Sequence, residues 1–372
     1  QSMKDAADAH NVEGFTTFYG FEWSSSSYGH VAVINCSEYC STNTQPTYPA
    51  LLGWLASHSG VAFCNHPGRQ DGAGTEFNHF TDSPAGSIVG MDLWNKTSGF
   101  GTYYYNTGYT SDSRDRSGYF DEALFNGWQI GAAGSEDNHA GTWGSGSYRL
   151  AILAGANTRD SLYGALRGRH FYSTLDENLE LSFTVNGNEM GSSTAGGLSH
   201  CVVKAADRDT ETFSRVEVIR SGYVVYTESV TSQTMPEVTC DLRTQRGDYV
   251  YCKVTQSDGH EAISSPVFIT SDGPDGPPQA DLSAPLDNGP ADFEPAQDLV
   301  TVNTTQPNFR IQLSDFDGID DFSATAATVS IAGLTSGVDY SFAYDGNADT
   351  ITLAPLTGGV FGNGTYAITV SG

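Results

Sequence analysis

The sequence predicts a multidomain protein in which an α/β segment is followed by two β-sandwich modules. Three observations carry that reading. A chain of 372 residues is longer than one hydrophobic core ordinarily serves, so two or three domains are expected. Residues 1–177 alternate short β-branched or aromatic runs with segments of helical apolar spacing, as α/β architectures do. From 178 onward apolar residues alternate with period two between turn-forming clusters, as antiparallel strands do.

The elements follow in order. QSMKDAADAH, at the start, reads as the tail of an amphipathic helix and has neither the basic start nor the apolar stretch of a secretory signal. The chain is therefore expected to begin inside a domain. GFTTFYGFEW (14–23) and HVAVINC (30–36) read as strands. TYPALLGWLASHSG (47–60) places Leu51, Leu52 and Leu55 on one helical face, with Gly60 as the stop. VAFCNHPG (61–68) reads as a buried strand running into a loop. NTRDSLYGALRGRHFYST (157–174) offers Thr158 as cap, Leu162, Ala165 and Leu166 as the apolar stripe, and Gly168 as the terminator. Between 178 and 270, LELSFTVNG, HCVVKAAD, SRVEVIRSGYVVYTES, PEVTCDL and DYVYCKVTQ are the strands of a compact sandwich. Residues 271–297, rich in Pro, Gly and Asp, read as a linker or extended edge. Residues 298–372 form a second β domain, which is similar to bacterial Ig-like or cadherin-like surface modules.

Charge and cysteine usage bound the setting. The net charge is −27, and such a surface repels nucleic acid and anionic membrane while attracting divalent cations. Thirteen Asp and one Glu lie from 271 onward against the single Arg310, so much of the acidity sits far from the α/β segment. No apolar run approaches the ~18 residues a membrane helix needs. The six cysteines, Cys36, Cys40, Cys64, Cys201, Cys240 and Cys252, are an even set compatible with three disulfides. None forms a CxxC pair, which argues against structural zinc. Cys201, Cys240 and Cys252 fall on the apolar phase of their strands, and a bridge from Cys201 or Cys240 to Cys252 is the expected one. Four Asn-x-Ser/Thr sequons, at Asn35, Asn95, Asn303 and Asn363, fit the same secreted, extracellular or cell-surface address.

Polar residues at strand ends point to chemistry. Glu22 follows an apolar run, His30 opens the next, His66 lies just past VAFCN, and Asp137 and His139 follow WQIGAAG. In barrels of parallel strands, residues beyond the C-terminal strand ends converge on one face. Imidazole with carboxylate suits Zn, Mn or Fe. Each residue alone has an ordinary reading: a half-buried histidine, a surface glutamate, an Asp-Asn turn. Together, at matching strand ends, they favour a metal site.

FYGFEWSSSSYGHVAVIN, CNHPG, MDLWN, NGWQIGAAGSEDNHAGTWGSG and LYGALRGRHFYSTLDENLELSFTVNGNEMGS occur in that order over about 1–190. In these blocks the chain resembles the PHP-domain (polymerase and histidinol phosphatase) metallohydrolases, nearest their secreted CehA/McbA-like branch. The resemblance implies a distorted (β/α)7 barrel over 1–177, holding two or three divalent metals that act on phosphoesters or related small esters. Carried over, Glu22 is the bridging carboxylate, His30 and His66 are ligands, and Asp137 with His139 is the closing Asp-x-His pair, Glu22 and His139 serving catalysis too. The family's His-x-His motif is not found before Glu22, where His10 is the sole histidine, so the barrel is expected to be N-terminally incomplete. Arg69 reads as a surface arginine or as a contact for a substrate anion, and Trp143 as a wall of the site or a packing residue. LSDFDGIDDFSA (312–323), with Asp315, Asp317, Asp320 and Asp321 around Gly318, resembles oxygen-rich Ca²⁺ loops without the EF-hand spacing; a turn is the other reading. The leading expectation is a secreted metal-dependent hydrolase, a phosphoesterase using metal-activated water. The alternative is an extracellular structural, filament or adhesion protein with a degenerate barrel, forming homo-oligomers or a surface assembly.

Overall fold

Only residues 26–28 separate β1 (Gly20–Ser25) from β2 (Gly29–Ile34). So short a connection permits an antiparallel hairpin and excludes a parallel crossover, which takes a dozen residues or more. In the computed structural model β1 and β2 pair antiparallel, and so do β2 and β3 (Val61–Asn65). β4 (Ile88–Trp94) and β5 (Gly131–Gly134) then add in parallel, giving the order β1–β2–β3–β4–β5. The structure describes residues 2–67, 86–95, 118–146, 148–271, 273, 279–284, 307–314, 329–346, 350–356, 361 and 365–370.

This mixed sheet overturns the expected distorted (β/α)7 barrel. Among the described residues four short helices accompany 23 strands, a β-rich fold rather than a ring of parallel strands each followed by a helix. The sheet still has two regimes. β4 is buried at every position, as parallel strands covered on both faces are. β1 and β2 alternate: Trp23, Val31 and Val33 are buried, while Glu22, His30 and Ala32 share the other, accessible face.

α1 (Met3–His10) begins with a capping box between Ser2 and Asp5 and buries no residue. α2 (Tyr48–Leu55) is capped by Thr47, carries Pro49 in its first turn, and buries Tyr48, Leu51, Leu52 and Leu55 in one core with Trp23 and Val31. It stops well before Gly60, which instead turns the chain into β3 at φ +112°. α3 (Gly118–Phe125) buries Tyr119, Phe120 and Asp121. α4 (Arg159–Gly168) is capped by Thr158 as expected, but the left-handed C-cap is Arg169 rather than Gly168. Gly168 is required for space: a Cβ there would meet the His170 ring at 2.5 Å.

β6 (Arg149–Ile152) and β7 (Phe171–Thr174) do not join the first sheet. They precede β8 (Leu179–Val185), β9 (Asn188–Glu189), β10 (Ser193–Ala195), β11 (Gly197–Asp207), β12 (Phe213–Arg220), β13 (Tyr223–Gln233), β14 (Glu237–Thr244), β15 (Tyr249–Gln256), β16 (Glu261–Ser264) and β17 (Val267–Ser271). β6 pairs β7, β7 pairs β16, β16 pairs β15, and β15 pairs β12. β8 pairs β11 with the alternating burial of a half-covered layer. One core holds Trp23, Leu51 and Trp128 together with Ile219, Tyr251 and Ile263. The Asp121 carboxylate, fully buried, accepts hydrogen bonds from the Tyr251 hydroxyl at 3.1 Å and the Tyr249 hydroxyl at 3.4 Å.

Two compact units result: Gln1–Thr194, His200–Cys240 and Gly247–Ile269 form one, and Ala195–Ser199, Asp241–Arg246 and Thr270–Gly372 the other. In the second, β18 (Gln279–Ala284), β19 (Phe309–Ser314), β20 (Val329–Ile331), β21 (Tyr340–Asp345), β22 (Thr350–Pro355) and β23 (Ile368–Val370) surround Ile311, Ile351 and Leu353. Arg69, the sequons at Asn303 and Asn363, and the proposed calcium residues Asp315, Asp317, Asp320 and Asp321 lie outside the described residues.

The cysteine expectation is corrected. Cys36, Cys40, Cys64, Cys201, Cys240 and Cys252 are all thiols, and no disulfide forms. Each is buried and serves as a small apolar core residue. Burial pushes the Cys252 thiol up to about 12 and Cys40 to about 11. The sequon at Asn95 is likewise unavailable in the folded chain, since Asn95 is fully buried.

Candidate metal centre

The antiparallel hairpin and the parallel strands bring one end of the sheet together. β1, β3, β4 and β5 run in one direction and β2 in the other, so the start of β2 lies beside the end of β3: His30 is opposite Asn65. Register puts Glu22 opposite Ala32 and His30 opposite Ser24, so Glu22 and His30 share a face. His66 is the first residue past β3. Its backbone is left-handed at φ +33°, an uncommon conformation for a residue with a Cβ.

Glu22, His30 and His66 converge. Their ligand atoms all lie within 4.8 Å of one another. Glu22 Oε1 is 3.4 Å from His30 Nδ1 and 3.7 Å from His66 Nε2. The two imidazoles meet edge to face with ring centres 4.9 Å apart. Asn65 Nδ2 donates to the same Oε1 at 2.8 Å, and Ser24 Oγ donates to Oε2 at 3.2 Å. Burial alone would raise the Glu22 carboxyl, but the adjacent His30 and His66 imidazoles and the hydrogen bond from Asn65 outweigh it and hold the group well below the usual carboxylate range. Glu22 is thus a carboxylate at neutral pH, ready to bind a cation. The His66 side chain is 1% exposed and that of Glu22 32%, so the group has a dry wall and an open side.

Asp92, an acid inside the all-buried β4, fixes the frame. Its Oδ2 accepts from the His66 backbone N–H at 3.1 Å, Asn95 Nδ2 at 2.7 Å and Ser135 Oγ at 3.0 Å. One carboxylate oxygen thereby ties together the residues following β3, β4 and β5. Burial dominates its titration and pushes it up to about 6, the three donors opposing. Sequence reasoning quoted MDLWN without assigning Asp92 a role. The signal was there: a lone carboxylate in a run of apolar strand residues has to be satisfied by something.

Asp137 and His139 do not enter the three-donor group. They pair with each other, His139 Nε2 lying 2.9 Å from Asp137 Oδ1, and the His139 side chain is 76% exposed. Asp137 has a left-handed backbone at φ +45°, and its Oδ2 is buried with no hydrogen-bond partner. The neighbouring Glu136 does a different job: its Oε1 accepts from the Gly146 N–H at 2.5 Å and its Oε2 from the Gly144 N–H at 2.9 Å. Burial opposes its ionisation, but these N–H groups prevail and lower it. Glu136 therefore shapes the glycine-rich loop. Trp143, on that loop, is 81% exposed.

The donor chemistry fits a single borderline divalent cation. One carboxylate and two imidazoles are the His₂Glu set of hydrolytic zinc sites, and Mn or Fe accepts the same ligands. Among the described residues a second candidate group, Asp176, Glu211 and His260, lies in the sandwich. No helix of the described residues is long and apolar enough to cross a membrane.

No protein-family model matches the chain. An uncharacterized protein of Chlamydia pneumoniae is 29% identical over 136 residues, covering 32% of this chain and 22% of that protein. The chain thus matches less than a quarter of that relative's length. Domains 4–9 of the surface layer protein SbsC align over 54% of this chain and 33% of that chain, at 16% identity and a TM-score of 0.18. That score is too low to indicate a common fold.

Proposed function

We propose that the chain is a metal-dependent hydrolase, a phosphoesterase, whose Glu22, His30 and His66 hold a divalent cation at the open end of the first sheet. The convergence of these three side chains within 4.8 Å carries the reading. A bound cation would acidify a coordinated water and neutralise charge on an attacked ester. The chain's own residues do the rest. Asn65 and Ser24 aim the Glu22 carboxylate, and Asp92 holds the His66 backbone. The Asp137–His139 pair, on the loop after β5, would serve as the proton-handling group. The phosphoester class rests on the motif resemblance of the sequence blocks alone. The secreted address rests on the acidity of the chain, since the disulfides it predicted do not form.

Metal analysis of the purified chain, with turnover of p-nitrophenyl phosphate, tests this. The expected result is retained Zn, Mn or Fe and turnover abolished by chelation. Glu22→Gln and His66→Ala should each lower turnover by about 100-fold or more. Full turnover in folded Glu22→Gln, or no metal uptake by the wild type, sinks the proposal. A second reading, a structural protein with a degenerate site, is favoured by one observation: His139 points largely into solvent, outside the three-donor group.

A further inference from the structure

The sandwich gathers carboxylates from separate connections at one place. Asp176 follows β7, Glu211 lies between β11 and β12, and Asp258 and His260 form the turn between β15 and β16. Asp176 Oδ1 is taken by the N–H groups of Asn178 at 2.8 Å and Leu179 at 3.1 Å, and its Oδ2 is 3.5 Å from His260 Nδ1. Asp258 Oδ2 is 3.0 Å from the same nitrogen. Ligand atoms of Asp176, Glu211 and His260 all lie within 4.8 Å of one another. Asp207 adds a fourth carboxylate, its Oδ1 accepting from the N–H groups of Asp209 and Glu211.

A buried amide faces this cluster. Gln256 is 1% exposed, and its Nε2 donates to Asp207 Oδ2 at 3.0 Å and Glu211 Oε2 at 3.3 Å. Its Oε1 is buried with no hydrogen-bond partner. A buried polar atom left unsatisfied costs about 1–3 kcal/mol, and an electron-pair donor set among carboxylates is satisfied by a cation. The nearest basic side chain in sequence, Arg208, is committed elsewhere: its Nε bonds Glu180 Oε1 at 2.7 Å.

We infer that Asp176, Glu211 and His260 form a second, structural divalent-cation site that pins three connections of the sandwich together. Mixed imidazole and carboxylate donors suit Mn²⁺ or Zn²⁺ over Ca²⁺. The site is independent of the proposed catalytic centre and shares no residue with it. The competing arrangement is a protonated His260 in salt bridges, which needs no metal.

Equilibrium dialysis of the full chain against Mn²⁺, followed by metal analysis, separates these. Glu22→Gln/His66→Ala removes the first group, so its failure to alter Mn²⁺ uptake would count against the proposed function alone. In that background the expected result is one Mn²⁺ per chain and a melting temperature that rises with Mn²⁺. Adding Glu211→Gln/His260→Gln should abolish both effects. Glu211→Gln alone, at an exposed position, should weaken retention at least ten-fold and keeps the test interpretable if the combined variant unfolds. No uptake in the Glu22→Gln/His66→Ala chain, or equal uptake with and without Glu211→Gln, overturns the inference.

Discussion

A carboxylate inside β4 is costly to hold charged, and Asp92 accepts three hydrogen bonds on one oxygen while remaining fully buried. With its folded pKa near 6 against an ordinary 3.8, the sign follows from linkage. Its contribution to stability is fully present below pH ~4 and is lost as pH rises through about 6, by about 3 kcal/mol at most. Urea titrations in EDTA from pH 4 to 7 should show this decline in the wild type and a flatter profile in Asp92→Asn. Identical slopes would refute it. The thiols give a second prediction at this scale. All six are buried, so thiol reagents should label none in the native chain and all six after unfolding. Rapid native labelling, or fewer than six thiols on unfolding, would contradict the structure.

Helices here depend on ties as much as on propensity. α1 buries nothing and is held by Arg159, whose guanidinium contacts Asp8 at 2.6 Å and donates to the Thr17 carbonyl at 2.8 Å. Lys4 and then Arg159 lower the Asp8 carboxyl against a small burial penalty. The tie is therefore present above the ordinary carboxylate range and is lost as pH falls through the lowered value. Arg159→Ala should accelerate deuterium exchange across residues 3–10 while leaving the remainder of the first unit protected. Unchanged exchange there would show that α1 stands on its own. α4 shows the limit of propensity reasoning: Thr158 and the apolar stripe were readable, but contact with His170 decided that Gly168 stays inside the helix.

At the scale of the molecule, strands on either side of residue 177 share a sheet, since β7 pairs β16. The buried Asp121 of α3 accepts from Tyr249 and Tyr251 of β15. The first unit should therefore unfold as one. All five tryptophans precede residue 144, so tryptophan fluorescence reports the α/β segment, whereas far-UV circular dichroism is dominated by strands. Their denaturation midpoints should coincide for this unit. Tyr249→Phe/Tyr251→Phe strips donors from a buried carboxylate and should cost roughly 2–4 kcal/mol, shifting both probes together. A shift in one probe only would mean that segment and sandwich are separate folding units.

Of the three converging residues only His66 stands past a strand end, as local pattern suggested; Glu22 lies within β1 and His30 near the start of the antiparallel β2. The structure shortens the link between β1 and β2 to three residues, where the sequence runs 14–23 and 30–36 left six; that length forbids parallel pairing of these two strands. Short buried runs such as β4 fix neither neighbour nor direction, because a fully covered strand lacks the alternation that orients it. Pairing partners, the satisfaction of Asp92 and Asp121, the separation of Asp137 and His139 from the three-donor group, and the thiol state of the cysteines were decided only by the tertiary structure. Each depends on which distant segments meet, and burial and hydrogen-bond demand select those partners only once the whole chain competes for them.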